Sequence, residues 1–303
     1  MKTRSIGVSV LSFWRAAEMR HRLISLAIVL AAIVPATGAP IFGLPESAIP
    51  FGLLGESVSN TGTSYVVGDV GATSTNTGFP PGMASGFVCP PVTGGPACTG
   101  AEDTAVTTAY NAIFNSVGDA FSTAESLTPT PGDTFAALTS QTFLANTVSL
   151  FTGDVTTTTG TNLIFNAGGD PNAVFVIQID GAFSVIGAMT FQLEGGALAS
   201  NIFWIVEGGA ATISVGTSGP ITFDGDILAA TAFTMSASGQ TGGSGVLAGT
   251  INGCVFTDTG ENTLAGETDV NGCLATGSPE PGTAGLAGLG CVLGILVWRR
   301  VRP

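Results

Sequence analysis

GGALASNIFWIVEGGAATI, residues 195–213, decides how the fold is read. Ile202, Trp204 and Val206 alternate with Asn201, Phe203 and Ile205, the two-residue period of an extended strand. Gly195-Gly196 and Gly208-Gly209 break the chain on either side. Working outward, residues 172–251 repeat this unit as VFVIQID, AFSVIG, AMTFQLE, NIFWIVE, ATISVG, PITFDGDIL, AFTMSAS and VLAGTI, separated by glycine-rich breaks. Three such runs come round about every 27 residues between Val174 and Asn201. Short alternating strands without long connections suit a parallel β-helix whose coils stack on one another. A β-sandwich is the rival, but it uses hairpin turns such as Asn-Gly, and Asn252-Gly253 and Asn271-Gly272 lie outside the main repeat zone.

One segment reads differently. Thr99-Gly100-Ala101-Glu102 has capping-box spacing, and Val106, Ala109, Tyr110, Ile113, Phe114 and Val117 then make a single helical stripe that Gly118 stops. Such a helix needs a long apolar partner, which the flank of a solenoid supplies. The expected fold is mainly β, a parallel β-helix with one long α-helix along its side.

Composition narrows the chemistry. The chain has 303 residues, 44 of them glycine, and a formal charge of −13. All eight basic residues lie near the ends: Lys2, Arg4, Arg15, Arg20 and Arg22, then Arg299, Arg300 and Arg302. His21, the only histidine, sits with the first group. The stretch between is acidic throughout, which phosphate backbones would repel, so no nucleic acid is expected as partner. Ser-His-Asp and Cys-His pairs, P-loop lysines and histidine zinc sites have no residues to form them there. A non-catalytic protein without a cofactor is the expectation.

The ends read as addresses. Arg20, His21 and Arg22 precede LISLAIVLAAIV (residues 23–34) and a small-residue stretch, the order of a secretory signal over residues 1–39, with translation starting at Met19 as an alternative. Twelve apolar residues reach only about 18 Å as a helix, short of a bilayer core. At the far end Pro279, Glu280 and Pro281 precede an apolar stretch to Trp298 and three arginines. Seventeen residues reach roughly 25 Å, suited to transient retention with the arginines at the cytoplasmic interface. The body is then residues 40–278 and the tail 279–303, the membrane being touched only through the tail. Export permits disulfides among Cys89, Cys98, Cys254 and Cys273, for which three pairings are possible. Local pairing, Cys89 with Cys98 and Cys254 with Cys273 around a polar loop, is the most economical. A four-cysteine metal site is the alternative, though no C-x-x-C spacing occurs.

GFPPG (residues 78–82), the helix AEDTAVTTAYNAIFNSV, GDPNAVFVIQI (169–179), and NIFWIVEGGAATI followed by FDGDILAATAFTM together resemble the microbial ice-binding protein family, over roughly residues 51–256. The resemblance implies a right-handed β-helix of triangular section that adsorbs to ice. The tail resembles the PEP-CTERM sorting signal. That implies processing by an exosortase, release outside or on the surface of a Gram-negative bacterium after retention in the inner membrane, and exopolysaccharide as a possible neighbour. Some family members carry T-A/G-x-T/N before GFPPG. Here Ser74, Thr75, Asn76 and Thr77 take those positions, with Ser for the first Thr and Thr75 for the small residue. GGSGVLAG (242–249) lacks an arginine the family often has, and the Cys254 to Cys273 loop reads as an addition.

Ice asks for a flat, rigid face whose hydroxyls and methyls hold water in place, a task suited to threonine with its stiff χ1. If Phe191, Ile213, Phe223 and Phe233 point inward, then Thr190, Gln192, Thr212, Ser214, Thr222 and Thr234 point out. With Ser74, Thr75 and Thr77 they are the candidate ice-binding residues. Two rivals compete. Asp224-x-Asp226 could place two carboxylates on one face as an acid/base pair, although Asp-Gly-Asp also makes a turn. Asp154, Asp170 and Asp180 could hold calcium in a structural or biofilm-matrix protein that binds nothing frozen. Trp204 is expected in the core rather than on a sugar-binding surface.

Overall fold

The computed structural model describes residues 41–90, 98–214, 220–236 and 249–273. The leader, the Met19 start, the sorting tail and most of GGSGVLAG lie outside them. Among the described residues no helix is long and apolar enough to cross a membrane.

Among the described residues every strand pairing is parallel, and the strands fall on three faces. The first face stacks Thr134–Phe135, Thr147–Phe151, Phe175–Ile179, Ile202–Val206, Asp226–Ala229 and Val255–Thr257, then the leading halves of Phe51–Asn60 and Asp69–Thr77, then Val88–Cys89. The second stacks Val155–Thr157, Phe183–Ile186, Ala211–Ser214, Phe233–Ser236 and Glu261–Ala265, followed by the trailing halves of Phe51–Asn60 and Asp69–Thr77. The third is split. Gln141–Leu144, Asn162–Asn166 and Thr190–Glu194 form one sheet, and Ile221–Asp224, Gly249–Asn252, Thr268–Val270, Tyr65–Val66 and Met83–Ala84 form another.

The register shows how the coils are cut. The chain returns to the same place after 27 or 28 residues, from Thr147 to Phe175, Phe175 to Ile202 and Ile227 to Val255, and after only 23 from Phe203 to Asp226. The order is also discontinuous. Phe51–Asn60, first in sequence, stacks against the last coil, with Leu53 opposite Val255 and Ser59 opposite Thr263. The chain must then travel back to the far end to start the main stack at residue 134. Helix α1 (Gly100–Tyr110) and helix α2 (Ala120–Glu125) carry it there along the first face.

Helix α1 begins as the spacing requires. Thr99 N–H donates to Glu102 Oε2 at 2.6 Å, and Glu102 N–H donates to Thr99 Oγ1 at 3.2 Å. Val106, Ala109 and Ile113 are buried against the sheet. Val117, expected on the same stripe, is fully exposed. After Tyr110 the helix widens into a π turn over Asn111–Asn115 and Ser116 is already extended, so the stripe ends at Phe114 and Val117 falls off it. Helix α2 is tied down by Gln178, whose Nε2 donates to Ala124 O at 2.8 Å and Leu127 O at 2.9 Å.

The helices explain why NIFWIVE is apolar at nearly every position. Ile202, Trp204 and Val206 fill the solenoid interior, while Phe203 and Ile205 point out and are covered by the helix and N-terminal segment. A strand buried on both sides reads as a continuous apolar run. Inside, Trp204 stacks on Phe183 with ring centroids 5.1 Å apart, and its Nε1 donates to Asp224 O at 3.1 Å. Gly225, at φ +119°, makes the corner between Asp224 and Asp226.

Two sequence expectations are corrected at the corners. Asn252-Gly253 and Asn271-Gly272 are not outside the repeat. Each follows a strand of the third face and turns the chain toward the first. The Cys254 to Cys273 segment is likewise no added polar loop, since it holds Val255–Thr257, Glu261–Ala265 and Thr268–Val270, a full coil with one strand per face. The composition looked loop-like because Glu261, Thr263 and Asp269 face outward while Thr257, Asn262 and Thr268 are polar residues buried within the coil.

Candidate functional site

Among the described residues nothing covers the second face, and its outward positions line up. Thr156 lies opposite Ser184, Ser184 opposite Thr212, Thr212 opposite Thr234, Thr234 opposite Thr263, Thr263 opposite Ser59, and Ser59 opposite Thr77. Seven successive strands thus present a hydroxyl at the same register. A second row runs beside it through Ile186, Ser214, Ser236 and Ala265. Ser57 and Thr75 begin a third, joined by a 3.0 Å bond from Thr75 Oγ1 to Ser57 Oγ, with Glu261 as its one carboxylate. Neighbouring strands are about 4.8 Å apart and alternate residues about 6.7 Å, so the rows make a regular grid. No charged side chain stands in the central row.

This threonine face contains Thr212, Ser214, Thr234, Thr75 and Thr77 of the residues chosen from sequence. Ser74 is exposed, but it sits where the register slips between Gly55 and Ser57, so two residues oppose one and Ser74 leaves the rows. Asn76 points inward and is buried. Thr190, Gln192 and Thr222 do point outward, as expected, yet they lie on the third face. Alternation gives in or out but not which of three sides, and sequence reasoning therefore pooled two surfaces. It also missed Thr156, Ser184, Thr263 and Ser59. Stepping back 28 residues from Thr212 reaches Ser184 and then Thr156, a signal available once the coil length is known.

The third face lacks such order. Thr142, Ile164 and Gln192 share one row, and Leu144, Asn166 and Glu194 the next. Across the split, Thr222, Thr250, Asp269, Tyr65 and Met83 follow one another. Beside them a polar ladder runs from Asn271 Nδ2 to Asn252 Oδ1 and from Asn252 Nδ2 to Asp224 Oδ1, each at 2.7 Å.

The acid pair does not form. Asp224 closes a strand of the third face and Asp226 opens one of the first, with Gly225 between, so the two carboxylates serve different surfaces. Asp226 is buried, accepts from Cys254 N at 2.9 Å, and burial pushes its carboxyl well above the usual range. The calcium candidates are corner residues: Asp154 Oδ1 accepts from Ala182 N and Asp170 Oδ1 from Asn172 N. Glu207, at the ridge between the first and second faces, is raised from 4.5 to about 7 by burial and then by Glu125 and Asp180.

The cysteines pair locally, Cys89 with Cys98 and Cys254 with Cys273. Among the described residues, the groups whose ligand atoms lie close enough for a metal are Cys89, Cys98 and Asp103, and Asp226, Cys254 and Cys273. In both, the sulfurs are spent on the disulfide and offer no thiolate.

A chain with three parallel faces, a flanking helix and one ordered hydroxyl face invites comparison with known proteins. The family profile described as Ice-binding-like matches residues 53–270. The chain belongs to that family. Among ice-binding-like relatives, a Nostoc sp. (strain HG1) protein named ice-binding protein is 32% identical over 196 residues, 63% of each chain. Ice-binding protein K3-B1 of Typhula ishikariensis is 39% identical over 79 residues, 26% of this chain and 30% of that one. The chain thus covers less than two thirds of either relative's length. An ice-binding protein from the Antarctic ascomycete Antarctomyces psychrotrophicus has a TM-score of 0.57 at 25% identity, over 76% of this chain and 98% of that one. Another, from an Antarctic biological consortium, gives 0.56 at 24% identity over 78% and 96%, and shares the fold. Residues 279–301 match the PEP-CTERM protein-sorting motif, which implies export to the cell surface or beyond.

Proposed function

We propose that this protein binds ice through its threonine face and thereby slows ice growth or recrystallisation. The observation that carries the reading is the seven-strand row Thr156, Ser184, Thr212, Thr234, Thr263, Ser59 and Thr77. A row of hydroxyls on a rigid sheet can hold first-shell waters at fixed spacing, and bridging waters are nearly as favourable in enthalpy as direct bonds. The threonine methyls, with Ile186 and Ala265 in the adjoining row, keep neighbouring water from binding in competing directions. Stiff χ1 angles mean that little rotamer entropy is lost on adsorption. Thr190, Gln192, Thr222 and Ser74 drop out of the site because they lie off this plane.

Thermal hysteresis and recrystallisation inhibition of purified residues 40–278 test the reading. Activity should be present, and Thr212→Lys, which sets a strongly hydrated cation in the central row, should reduce it roughly tenfold, the effect of about 1.4 kcal/mol of lost adsorption energy. A folded protein with no effect on ice at high micromolar concentration would remove the proposal. It would favour a second reading, drawn from the sorting motif: a non-catalytic surface protein associated with exopolysaccharide. In either case we take an exosortase as the processing partner and a Gram-negative bacterium as the host, a reading that the sorting motif supports.

A further inference from the structure

We propose that Asp226 is the proton acceptor through which the Cys254–Cys273 disulfide closes, and the proton donor when it opens, so that this coil carries its own acid–base group for thiol–disulfide exchange. The geometry is direct. Asp226 Oδ1 accepts from Cys254 N–H at 2.9 Å and lies 3.2 Å from Cys254 Sγ. The two sulfurs and a carboxylate oxygen all lie within 4.8 Å of one another. Gly253 keeps the approach open, since a Cβ there would stand 2.9 Å from Asp226 Oδ1.

A carboxyl buried without a cation is otherwise unexplained. Asp226 is 1% exposed, and residues 23–298 hold no Lys, Arg or His. Burying an unpaired carboxylate is costly, and burial pushes this carboxyl well above the usual range, toward that of a thiol. Matched proton affinities favour transfer between the two. The strands on either side, Ile202–Val206 and Val255–Thr257, carry no ionisable side chain. Asp224 turns to the third face, where it accepts from Asn252 Nδ2, and Glu46 of the N-terminal segment is exposed. Of these carboxylates only Asp226 touches Cys254.

Access differs between the two sulfurs. Cys254 is fully buried, whereas Cys273 is 8% exposed and, with Asp226, Phe42, Asn201 and Phe203, lines a cavity of about 260 Å³. A small external disulfide entering there meets Cys273 first and leaves a mixed disulfide on it, releasing one thiol. Cys254 then gives its proton to the Asp226 carboxylate, and its sulfur attacks Cys273 Sγ. The new S–S bond forms as the bond to the external sulfur breaks, and that sulfur departs with the electron pair and takes a proton from water. Two protein thiols are oxidised, and the external disulfide is reduced to two thiols. Opening by an external dithiol reverses each step, with Asp226 protonating the departing Cys254 sulfur. The need is local, because a thiol buried in apolar surroundings resists ionisation at neutral pH. At the other disulfide Cys89 Sγ lies 3.6 Å from Asp103 Oδ1, but Asp103 is exposed and solvent can take the proton.

The test starts from the folded, oxidised full chain. Dithiothreitol is added over a range of pH, free thiols are trapped by alkylation, and each disulfide is followed by peptic mapping and mass spectrometry. The same thiolate opens both, so the ratio of the Cys254–Cys273 rate to the Cys89–Cys98 rate cancels the ionisation of dithiothreitol. In the wild type that ratio should fall as pH rises and Asp226 loses its proton; a flat ratio would overturn the proposal. Asp226→Asn keeps an oxygen for Cys254 N–H but has no acidic proton to give. At pH 7 it should slow the opening of Cys254–Cys273 at least about tenfold and leave Cys89–Cys98 unchanged. A purely structural role predicts the opposite sign, since a loosened corner exposes the disulfide and speeds its reduction. Opening at the wild-type rate or faster in this variant, with circular dichroism recorded alongside, would therefore also overturn it.

Discussion

The second and third faces are made by the same coils from the same kind of strand, yet only one of them is a surface with a repeat. On the second face the register runs unbroken from Val155–Thr157 to Glu261–Ala265, and every strand offers Thr or Ser at the shared position. On the third face Thr190–Glu194 and Ile221–Asp224 are not paired, and a row that starts with Thr222 continues through Asp269, Tyr65 and Met83. Threonine content alone does not distinguish them. What differs is whether hydroxyls recur at one register over enough strands to make a lattice, and whether acids and exposed apolar groups interrupt it.

The largest expected effect abolishes the contrast altogether. Trp204→Ala empties the centre of the interior that supports both faces, and should cost about 3–5 kcal/mol, read as a fall in the denaturation midpoint in urea. A change below 1 kcal/mol, in the range of a surface substitution, would mean that the interior is not packed as described. Next in size, the faces can be set against each other. Thr234→Lys should remove most ice activity, whereas Thr222→Lys and Thr190→Lys, strand threonines more exposed than Thr234, should leave it within about twofold, a difference of roughly 0.4 kcal/mol. Equal losses on both faces would break the comparison.

The smallest effect concerns pH. The Glu207 carboxyl lies at about 7 in the folded protein against 4.5 ordinarily, so between those values the folded state holds a proton that the unfolded chain has released. That stabilisation is lost as pH rises through the window, and the buried Asp226 carboxyl acts with the same sign. Thermal midpoints should be a few degrees higher at pH 5 than at pH 8, and Glu207→Gln should flatten the slope. Ice activity should change little across the same range, since the central row of the threonine face has nothing to titrate.

Much of this was readable in the residues, and the gaps have definite causes. The capping box at Thr99 and Glu102, the inward Trp204 and the local disulfides depend on near neighbours or on the strand period, and the structure has them as expected. Val117 was misplaced because a π turn leaves no mark in the spacing of apolar residues. The threonine face was only half identified because a period of two says nothing about which of three sides a strand occupies. Placing Thr156 and Ser184 required the 28-residue coil length, which the trimmed coil between Phe203 and Asp226 obscures. The return of Phe51–Asn60 to the last coil could not be inferred at all, since the partners it meets there lie some 200 residues away and its own composition is that of any half-buried strand.

That return has a bearing on biogenesis. Phe51–Asn60 meets Asp69–Thr77 early, but its other edge stays open until Val255–Thr257 and Glu261–Ala265 have been made, and such distant partners mean late, slow assembly. A polypeptide that cannot close up on the cytoplasmic side arrives at a translocation pore still threadable. Completion is deferred to the compartment where its thiols can oxidise.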